Sequence, residues 1–283
     1  MKLFRHISVI SALIIAALCS CTKVEQCVSG EEVFVSYTVS VPETKAVSDN
    51  GASINKVWYA LYKEDGTMAT NYAPVDFVDG SARCEVVMLR GQSYKLVFVA
   101  QHYQNDATPA YPIDAQRAKI SLPENPTANS DKFDLFYGTE DVVAFNGGTT
   151  GNIVLDRAVA MVNFISSDED WSAAEAEGTL PTHSSITLSG VASGWNLLTG
   201  TPASETATLT FAKSAIPAAK HVGAAFFFAN GDVNATLNLY TSADASAAPV
   251  KTVNVSDVQV ATNKKTNIVG GVVAGADSDT NNN

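Results

Sequence analysis

Basic residues are scarce in this chain. Its 283 residues include 18 Lys and Arg against 29 Asp and Glu, which gives a formal net charge of −11. Nucleic acids are bound largely through Lys and Arg contacts to phosphates, so this balance argues against a nucleic-acid partner. Beyond the N-terminal segment, no apolar run reaches the roughly 20 residues of a transmembrane helix. Residues 222–229 are better explained as a buried strand.

The motifs of common enzymes are missing from the sequence as well. It contains no GxxxxGK[ST] phosphate loop and no nucleophile elbow, and His102, His183 and His221 lack metal-binding spacing. A group of four acidic residues could bind calcium or supply the paired carboxylates of a glycoside hydrolase. Its spacing matches no calcium loop, and solvated strand ends and turns explain these residues better. We therefore expect no enzyme, cofactor or metal site, with a hydrolase as the least favoured alternative. The acidic residues are Asp131, Asp134, Glu140 and Asp141.

The N-terminal segment has the pattern of a bacterial lipoprotein signal peptide. A basic stretch with Lys2 and Arg5 precedes an apolar run over residues 7–18, which is too short for a permanent membrane span. The run ends in Leu18-Cys19-Ser20-Cys21, where a Leu three residues before a Cys and a small residue just before it match a lipobox. We predict that residues 1–20 are removed and that the Cys21 thiol carries a diacylglycerol, whose acyl chains give stable anchoring.

Two alternatives to this lipid site stay open. The segment also fits an ordinary secretory signal with an accidental Cys. Cys19 is a weaker lipidation candidate because Ala16, rather than Leu, lies three residues before it. Residues 21–31 are polar and are predicted to form a tether.

Few cysteines are left for disulfide chemistry. Removal of residues 1–20 leaves 16 basic and 29 acidic residues, a net charge of −13, and leaves only Cys27 and Cys84 besides the lipid site. The two thiols could pair in an oxidising periplasm. Because Cys27 lies in the tether, we favour two unpaired thiols and leave the pairing open.

Strand signals follow one another along most of the chain. Residues 32–41 read EVFVSYTVSV, an alternation with the period of a half-buried strand. Further strands about ten residues apart, with turns between them, indicate a sandwich or a barrel. The one good helix candidate covers residues 167–177. Residues 103–130 contain four prolines and are predicted to be loops around a short segment at 118–122.

These signals predict an all-β chain with two domains. Asp156-Arg157 interrupts a mostly apolar stretch at residues 152–166, and we place the domain boundary there. The first domain then covers residues 32–155 and the second covers residues 156–276. A polar tail follows at residues 277–283.

Four groups of residues occur in an order typical of one protein family. They are the lipobox at Cys21, the opening strand closed by Pro42-Glu43-Thr44-Lys45-Ala46, Phe136-Tyr137-Gly138 followed by Leu155-Asp156-Arg157-Ala158-Val159-Ala160, and the closing segment Asn263-Lys264-Lys265-Thr266-Asn267-Ile268. With these groups the chain resembles the fimbrillins, the pilin-like lipoprotein superfamily of Bacteroides-type bacteria. The resemblance covers nearly the whole mature chain.

The resemblance implies a fold and a way of assembly. It implies two tandem transthyretin-like, Greek-key β-sandwich domains and a surface-exposed lipoprotein of the outer membrane. In fimbrillins a trypsin-like protease removes the first strand, and a strand from the next subunit fills the groove by β-strand addition. Mapped here, the first strand is residues 32–41 and the candidate cut lies between Lys45 and Ala46, with a plain surface lysine as the alternative.

The implied partners are other fimbrial subunits, the outer membrane through the lipid on Cys21, and a host or bacterial surface ligand. The implied role is that of a stalk, tip or anchor subunit. The chain departs from a stalk subunit after Val273, because its polar tail could not fill apolar pockets. Unless residues 264–274 swing out, the resemblance favours a tip, an anchor or a non-polymerising relative.

A second hypothesis is a monomeric surface lipoprotein that binds glycan or another extracellular ligand. It predicts exposed aromatic side chains clustered on one sandwich face or end, and Trp58, Trp171 and Trp195 are the candidates for stacking on sugar rings. The fimbrial hypothesis instead predicts that the first strand lies at a sheet edge, with Lys45 in an exposed loop.

The lipobox generates the first prediction. Cys21→Ser removes the thiol that takes the lipid, so incorporation of labelled palmitate into the protein should fall to background. Cys19→Ser is the matched control and should keep the label. A Cys21→Ser variant that still incorporates palmitate in growing cells would contradict the assignment.

Overall fold

The computed structural model describes residues 30–42, 53–144, 149–169 and 171–272. Strands make up most of these residues, which confirms the prediction of an all-β chain. The predicted helix over residues 167–177 is present as the shorter α1 (Trp171–Ala176), and a 3₁₀ turn covers Asp131–Phe133. Within the described ranges, no helix has the length and apolar character needed to cross a membrane.

Twenty-two strands follow one another along the described residues. The first twelve are β1 (Glu32–Ser40), β2 (Lys56–Lys63), β3 (Met68–Asn71), β4 (Val75–Asp76), β5 (Ser81–Leu89), β6 (Ser93–Gln101), β7 (Tyr103–Gln104), β8 (Thr108–Pro109), β9 (Ile113–Asp114), β10 (Lys119–Ser121), β11 (Leu135–Val143) and β12 (Thr149–Val154). The others are β13 (Asp156–Arg157), β14 (Ala160–Ser166), β15 (His183–Ala192), β16 (Gly194–Asn196), β17 (Thr201–Pro202), β18 (Thr206–Ala215), β19 (His221–Phe227), β20 (Val233–Tyr240), β21 (Lys251–Val258) and β22 (Lys265–Gly270).

The longer strands form two sandwiches with the same topology. In the first sandwich, sheet β12-β1-β5 faces the strands β11-β6-β2-β3 of a second sheet. In the second sandwich, sheet β22-β14-β19 faces sheet β21-β20-β15-β18. The two orders correspond strand for strand. In each sandwich the first strand runs parallel to the last, as β1 does to β12 and β14 to β22.

The burial patterns explain why some strands alternate in sequence and others do not. β1 and β5 bury every second residue, since one face of their sheet packs on the core and the other faces solvent. β2 is buried at six successive positions. Its Tyr59 and Leu61 face the core of the first sandwich, and its Trp58 and Tyr62 face the opposite side.

A third apolar core joins the two sandwiches. It brings Trp58 and Tyr62 of β2 together with Met161 of β14, Trp195 of β16 and Phe226 of β19. A four-stranded sheet, β17-β16-β10-β9, also combines strands from both parts of the chain. The domain boundary at residues 155/156 stays a prediction, and the two sandwiches share a buried core across it.

Residues 103–130 are more structured than we expected. They contain the four short strands β7 to β10, rather than loops around one short segment. After them, the Asn129 side chain donates to Ser184 Oγ at 2.9 Å and accepts from the Ala224 backbone N–H at 2.8 Å. The prolines obscured this segment because its order comes from contacts with the second sandwich, which a local pattern does not contain.

A buried ion pair links two of the motifs singled out in the sequence. β11 and β13 are hydrogen-bonded neighbours, with Phe136 opposite Arg157. Arg157 donates from Nε and a terminal nitrogen to the two carboxylate oxygens of Asp134, both at 2.8 Å. The Asp134 side chain is only 2% exposed. Burial raises the pKa of Asp134, and the Arg157 guanidinium opposes that rise.

Breaking this ion pair should be costly. Asp134→Ala removes the carboxylate and leaves Arg157 largely buried without its counter-charge, which we expect to lower the free energy of unfolding by about 3–5 kcal/mol. Lys95→Ala is the matched control, because it breaks the exposed pair with Asp141 and should cost below about 1 kcal/mol. Chemical denaturation of both variants measures the difference, and equal losses would contradict the assignment.

Candidate functional site: the groove around the first strand

The first strand lies in the middle of its sheet. β1 pairs in parallel with β12 on one side and antiparallel with β5 on the other. Our expectation of a sheet-edge position was therefore wrong. The alternating sequence identifies the face that is buried, but it does not contain the positions of the neighbouring strands.

β1 fills a groove with its inward side chains. Val33, Val35, Tyr37 and Val39 are all buried in the core of the first sandwich. Fully burying one aliphatic side chain of this size contributes roughly 1.5–3 kcal/mol. The outward face stays in solvent, and its Phe34 side chain is 63% exposed. The strand therefore fills the groove with its apolar inward face, while its outward face is in solvent.

Tyr37 occupies the slot with the closest fit. Its backbone neighbours are Cys84 on β5 and Gly151 on β12, both small residues. A Cβ atom placed on Gly151 would overlap the Tyr37 ring, so this position needs glycine. The ring also packs on Phe98 at 5.5 Å between centroids. The pKa of Tyr37 rises to about 12, first because of burial and then because of the nearby Glu140 carboxylate.

Tyrosines of the opposite sheet hold β5 along the edge that faces away from β1. The Tyr72 hydroxyl accepts from the Val87 N–H at 2.9 Å and lies 3.1 Å from the Val87 carbonyl. The Tyr59 hydroxyl donates to the Glu85 carbonyl at 3.2 Å, and the two rings stack at 4.7 Å. These bonds do not involve β1, so one wall of the groove is fixed independently of it.

The second wall is held differently. In the described residues β12 has β1 as its only ladder partner. Its position therefore depends on packing. Ile153 and Leu155 pack against Gly138 of β11, and a Cβ atom added to Gly138 would lie 2.7 Å from the Leu155 side chain. The groove thus has one firmly bonded wall and one packed wall.

Cys84 is a buried free thiol on β5, in the wall of the groove beside Tyr37. Burial raises its pKa to about 12. The thiolate is the reactive form, so the thiol is unreactive as long as β1 covers it. Cys27 lies outside the described residues, and the preference for two unpaired thiols stays a prediction.

The site residues predicted from the sequence also lie outside the described residues. These are the lipidation candidate Cys21 and the cleavage candidates Lys45 and Ala46. β1 ends at Ser40, and the described residues continue to Pro42 and resume at Ser53. Sequence reasoning missed Cys84 and Gly151 as groove residues, because only the strand register places them beside Tyr37.

The structure pairs two of the acidic residues considered for calcium binding or catalysis with basic side chains. Asp134 is occupied by Arg157, and Asp141 pairs with Lys95 at 2.6 Å. Among the residues described, no group of three or more His, Cys, Asp and Glu side chains is placed to hold a metal ion.

The described aromatic side chains do not form the surface cluster that the glycan hypothesis predicts. Trp58, Trp171 and Trp195 are all buried. Among the Phe, Trp and Tyr side chains of the described ranges, only Phe34 is exposed. The exposed aromatic side chain thus lies on the first strand itself.

One family profile matches residues 27–280, nearly the whole chain past the N-terminal segment. The chain belongs to the family of unknown function DUF6562. The match includes the groove with its β1, β5 and β12 walls. A search among proteins of curated function finds no match.

Solved structures from Bacteroides and related bacteria are similar in fold. A candidate cell adhesion protein from Bacteroides uniformis has a TM-score of 0.53 at 9% identity, covering 89% of this chain and 97% of its own. A candidate adhesin from Bacteroides thetaiotaomicron has a TM-score of 0.50 at 8% identity, covering 88% and 94%. A fimbrial assembly protein from Parabacteroides distasonis has a TM-score of 0.46 at 13% identity, covering 87% and 94%. At these identities the likeness to the first two structures shows the fold alone.

The fit of Tyr37 against Gly151 can be tested directly. Gly151→Ala should lower the free energy of unfolding by about 1–3 kcal/mol, because the added methyl group overlaps the Tyr37 ring. Gly270→Ala on the equivalent last strand is the matched control, since its Cβ would meet open space, and it should change stability by less than about 0.5 kcal/mol.

The double variant Tyr37→Ala with Gly151→Ala separates this contact from a general effect. Once the ring is removed, the methyl group has room, so Gly151→Ala should cost less in the Tyr37→Ala background. Urea unfolding measures all four proteins. An unchanged cost in both backgrounds would contradict the proposed contact.

Proposed function

We propose that this protein is a structural or adhesive subunit of cell-surface fimbriae, assembled by β-strand addition after removal of its first strand. The observation that carries the proposal is the position of β1 between β5 and β12. Removing it would open two strand edges and a row of apolar slots at once. An unpaired edge beside empty side-chain pockets binds an alternating strand from another chain.

The strand is also suited to removal. Its outward face is in solvent, and β5 keeps its bonds to Tyr59 and Tyr72 without it. The chain between β1 and β2 contains Lys45, the candidate cut for a trypsin-like protease, followed by Ala46. In this proposal the cut releases the lipid on Cys21, the tether and β1 together.

The fimbrial and adhesive parts of the proposal draw on two further sources. The sequence resembles fimbrillins in its lipobox, its opening strand and its closing segment. The two neighbours with TM-scores of 0.53 and 0.50 carry names of adhesion proteins. An uncut protein would stay in the outer membrane through the lipid on Cys21, as an anchor subunit.

Lys45→Ala tests the cut. We expect the mature wild-type protein at the cell surface to begin at Ala46, and the Lys45→Ala protein to keep β1 and the lipid. Lys63→Ala removes an exposed lysine from the next strand and should leave processing unchanged. Intact-mass and N-terminal analysis of surface protein reads the outcome. Wild-type protein that retains residues 32–41 would falsify the removal step.

The thiol of Cys84 reports whether the groove opens. After a cut at Lys45 and loss of the N-terminal fragment it is the only cysteine left, so a maleimide at pH 8 should label it. In an intact Cys27→Ser protein it should label orders of magnitude more slowly, because its pKa of about 12 and its burial keep the thiolate rare. Equal labelling rates would mean that β1 does not cover the groove.

A further inference from the structure

We propose that the groove selects a donor strand with an aromatic residue at its third inward position, a requirement that the last strand, β22, of a second copy of this protein does not meet. The inference rests on the proposed function, because it concerns the strand that replaces β1. It names the chemistry of the partner, which strand addition alone leaves undefined.

The third slot differs from the others in its walls. Cys84 and Gly151 flank it on the two sides, so a wide space opens at the level of Tyr37. Val39 is flanked instead by Ala82 and Ile153. Gly151 has no side chain that would restrict the Tyr37 ring. An aliphatic side chain in place of Tyr37 would leave part of this space empty.

The floor of the slot also fits an aromatic ring. Phe98 on β6 meets the Tyr37 ring at 5.5 Å with an angle of 55° between the ring planes, a tilted contact favoured by aromatic pairs. Tyrosine and phenylalanine both carry the ring that fills this space.

The other three slots are aliphatic. Val33 and Val35 lie opposite Met88 and Val86 of β5, and Val39 completes the row. The groove thus defines a donor pattern of aliphatic, aliphatic, aromatic and aliphatic residues at alternate positions. The outward positions of β1 face solvent, so the corresponding positions of a donor strand need no particular residue type.

The last strand of a second copy does not match this pattern. β22 reads KTNIVG and contains no aromatic residue. Ile268 of β22 and Val272, which follows it, are buried, and Gly270 lies between them in the sequence. β22 of a second copy would therefore leave the third slot unfilled, and the fitting donor is a strand that carries an aromatic residue there.

A peptide-exchange assay tests the selection. The chain is given a specific endoprotease site in place of residues 43–48, so that cutting does not depend on Lys45. The cut protein is mixed in mild urea with excess fluorescent peptide, and incorporation is followed by gel filtration. The peptides are residues 31–41, the same peptide with Tyr37→Phe or Tyr37→Val, and residues 263–273.

We expect the Tyr and Phe peptides to incorporate, and the Tyr37→Val peptide and the β22 peptide to bind at least about tenfold more weakly. Gly151→Val in the protein is the matched control, because it fills the slot from the wall. It should shift the preference from the Tyr peptide towards the Tyr37→Val peptide. Circular dichroism checks that the Gly151→Val protein is folded. The comparison of the peptides on the wild-type groove does not depend on this variant.

The outcomes separate the inference from the proposed function. Equal incorporation of the Tyr and Val peptides, or strong incorporation of the β22 peptide, would overturn the aromatic selection and leave strand addition intact. If no peptide displaces β1 from the cut protein, strand addition itself fails and the selection fails with it.

Discussion

The inward face of β1 fills the space between β5 and β12, two strands that have no ladder to each other in the described structure. The first sandwich depends on this contact. Val33, Val35, Tyr37 and Val39 complete its core, and the β1 backbone pairs both neighbouring strands. Because one strand supplies the side chains and both ladders, its exchange for another strand would restore the whole sheet in one step.

The second sandwich has the same topology but buries its first strand differently. β14 lies between β22 and β19 as β1 lies between β12 and β5. β14 is buried on both faces, since Met161 points into the core shared by the sandwiches while Val162 and Phe164 point into its own. Only in the first sandwich, therefore, does the central strand have one face in solvent, which is where the proposed strand exchange would take place.

The groove was predictable from the sequence only in part. Alternation in residues 32–41 indicated a half-buried strand, because side chains of a strand point to opposite faces at every second residue. The structure places Val33, Val35, Tyr37 and Val39 on its buried face. The motif with Phe136 and the motif with Arg157 were singled out separately, and the structure adds that β11 and β13 pair. The acidic residues gave no usable spacing, since their partners Arg157 and Lys95 lie on other strands.

The sequence by itself determined the all-β class, the half-buried first strand and the buried strand at residues 222–229, because these follow from local periodicity. Only the tertiary structure decided that β1 is central and that Cys84 and Gly151 flank Tyr37. That arrangement depends on the register among three strands far apart in the chain. Register between distant segments is set by how whole sheets pack, so no local stretch of sequence contains it.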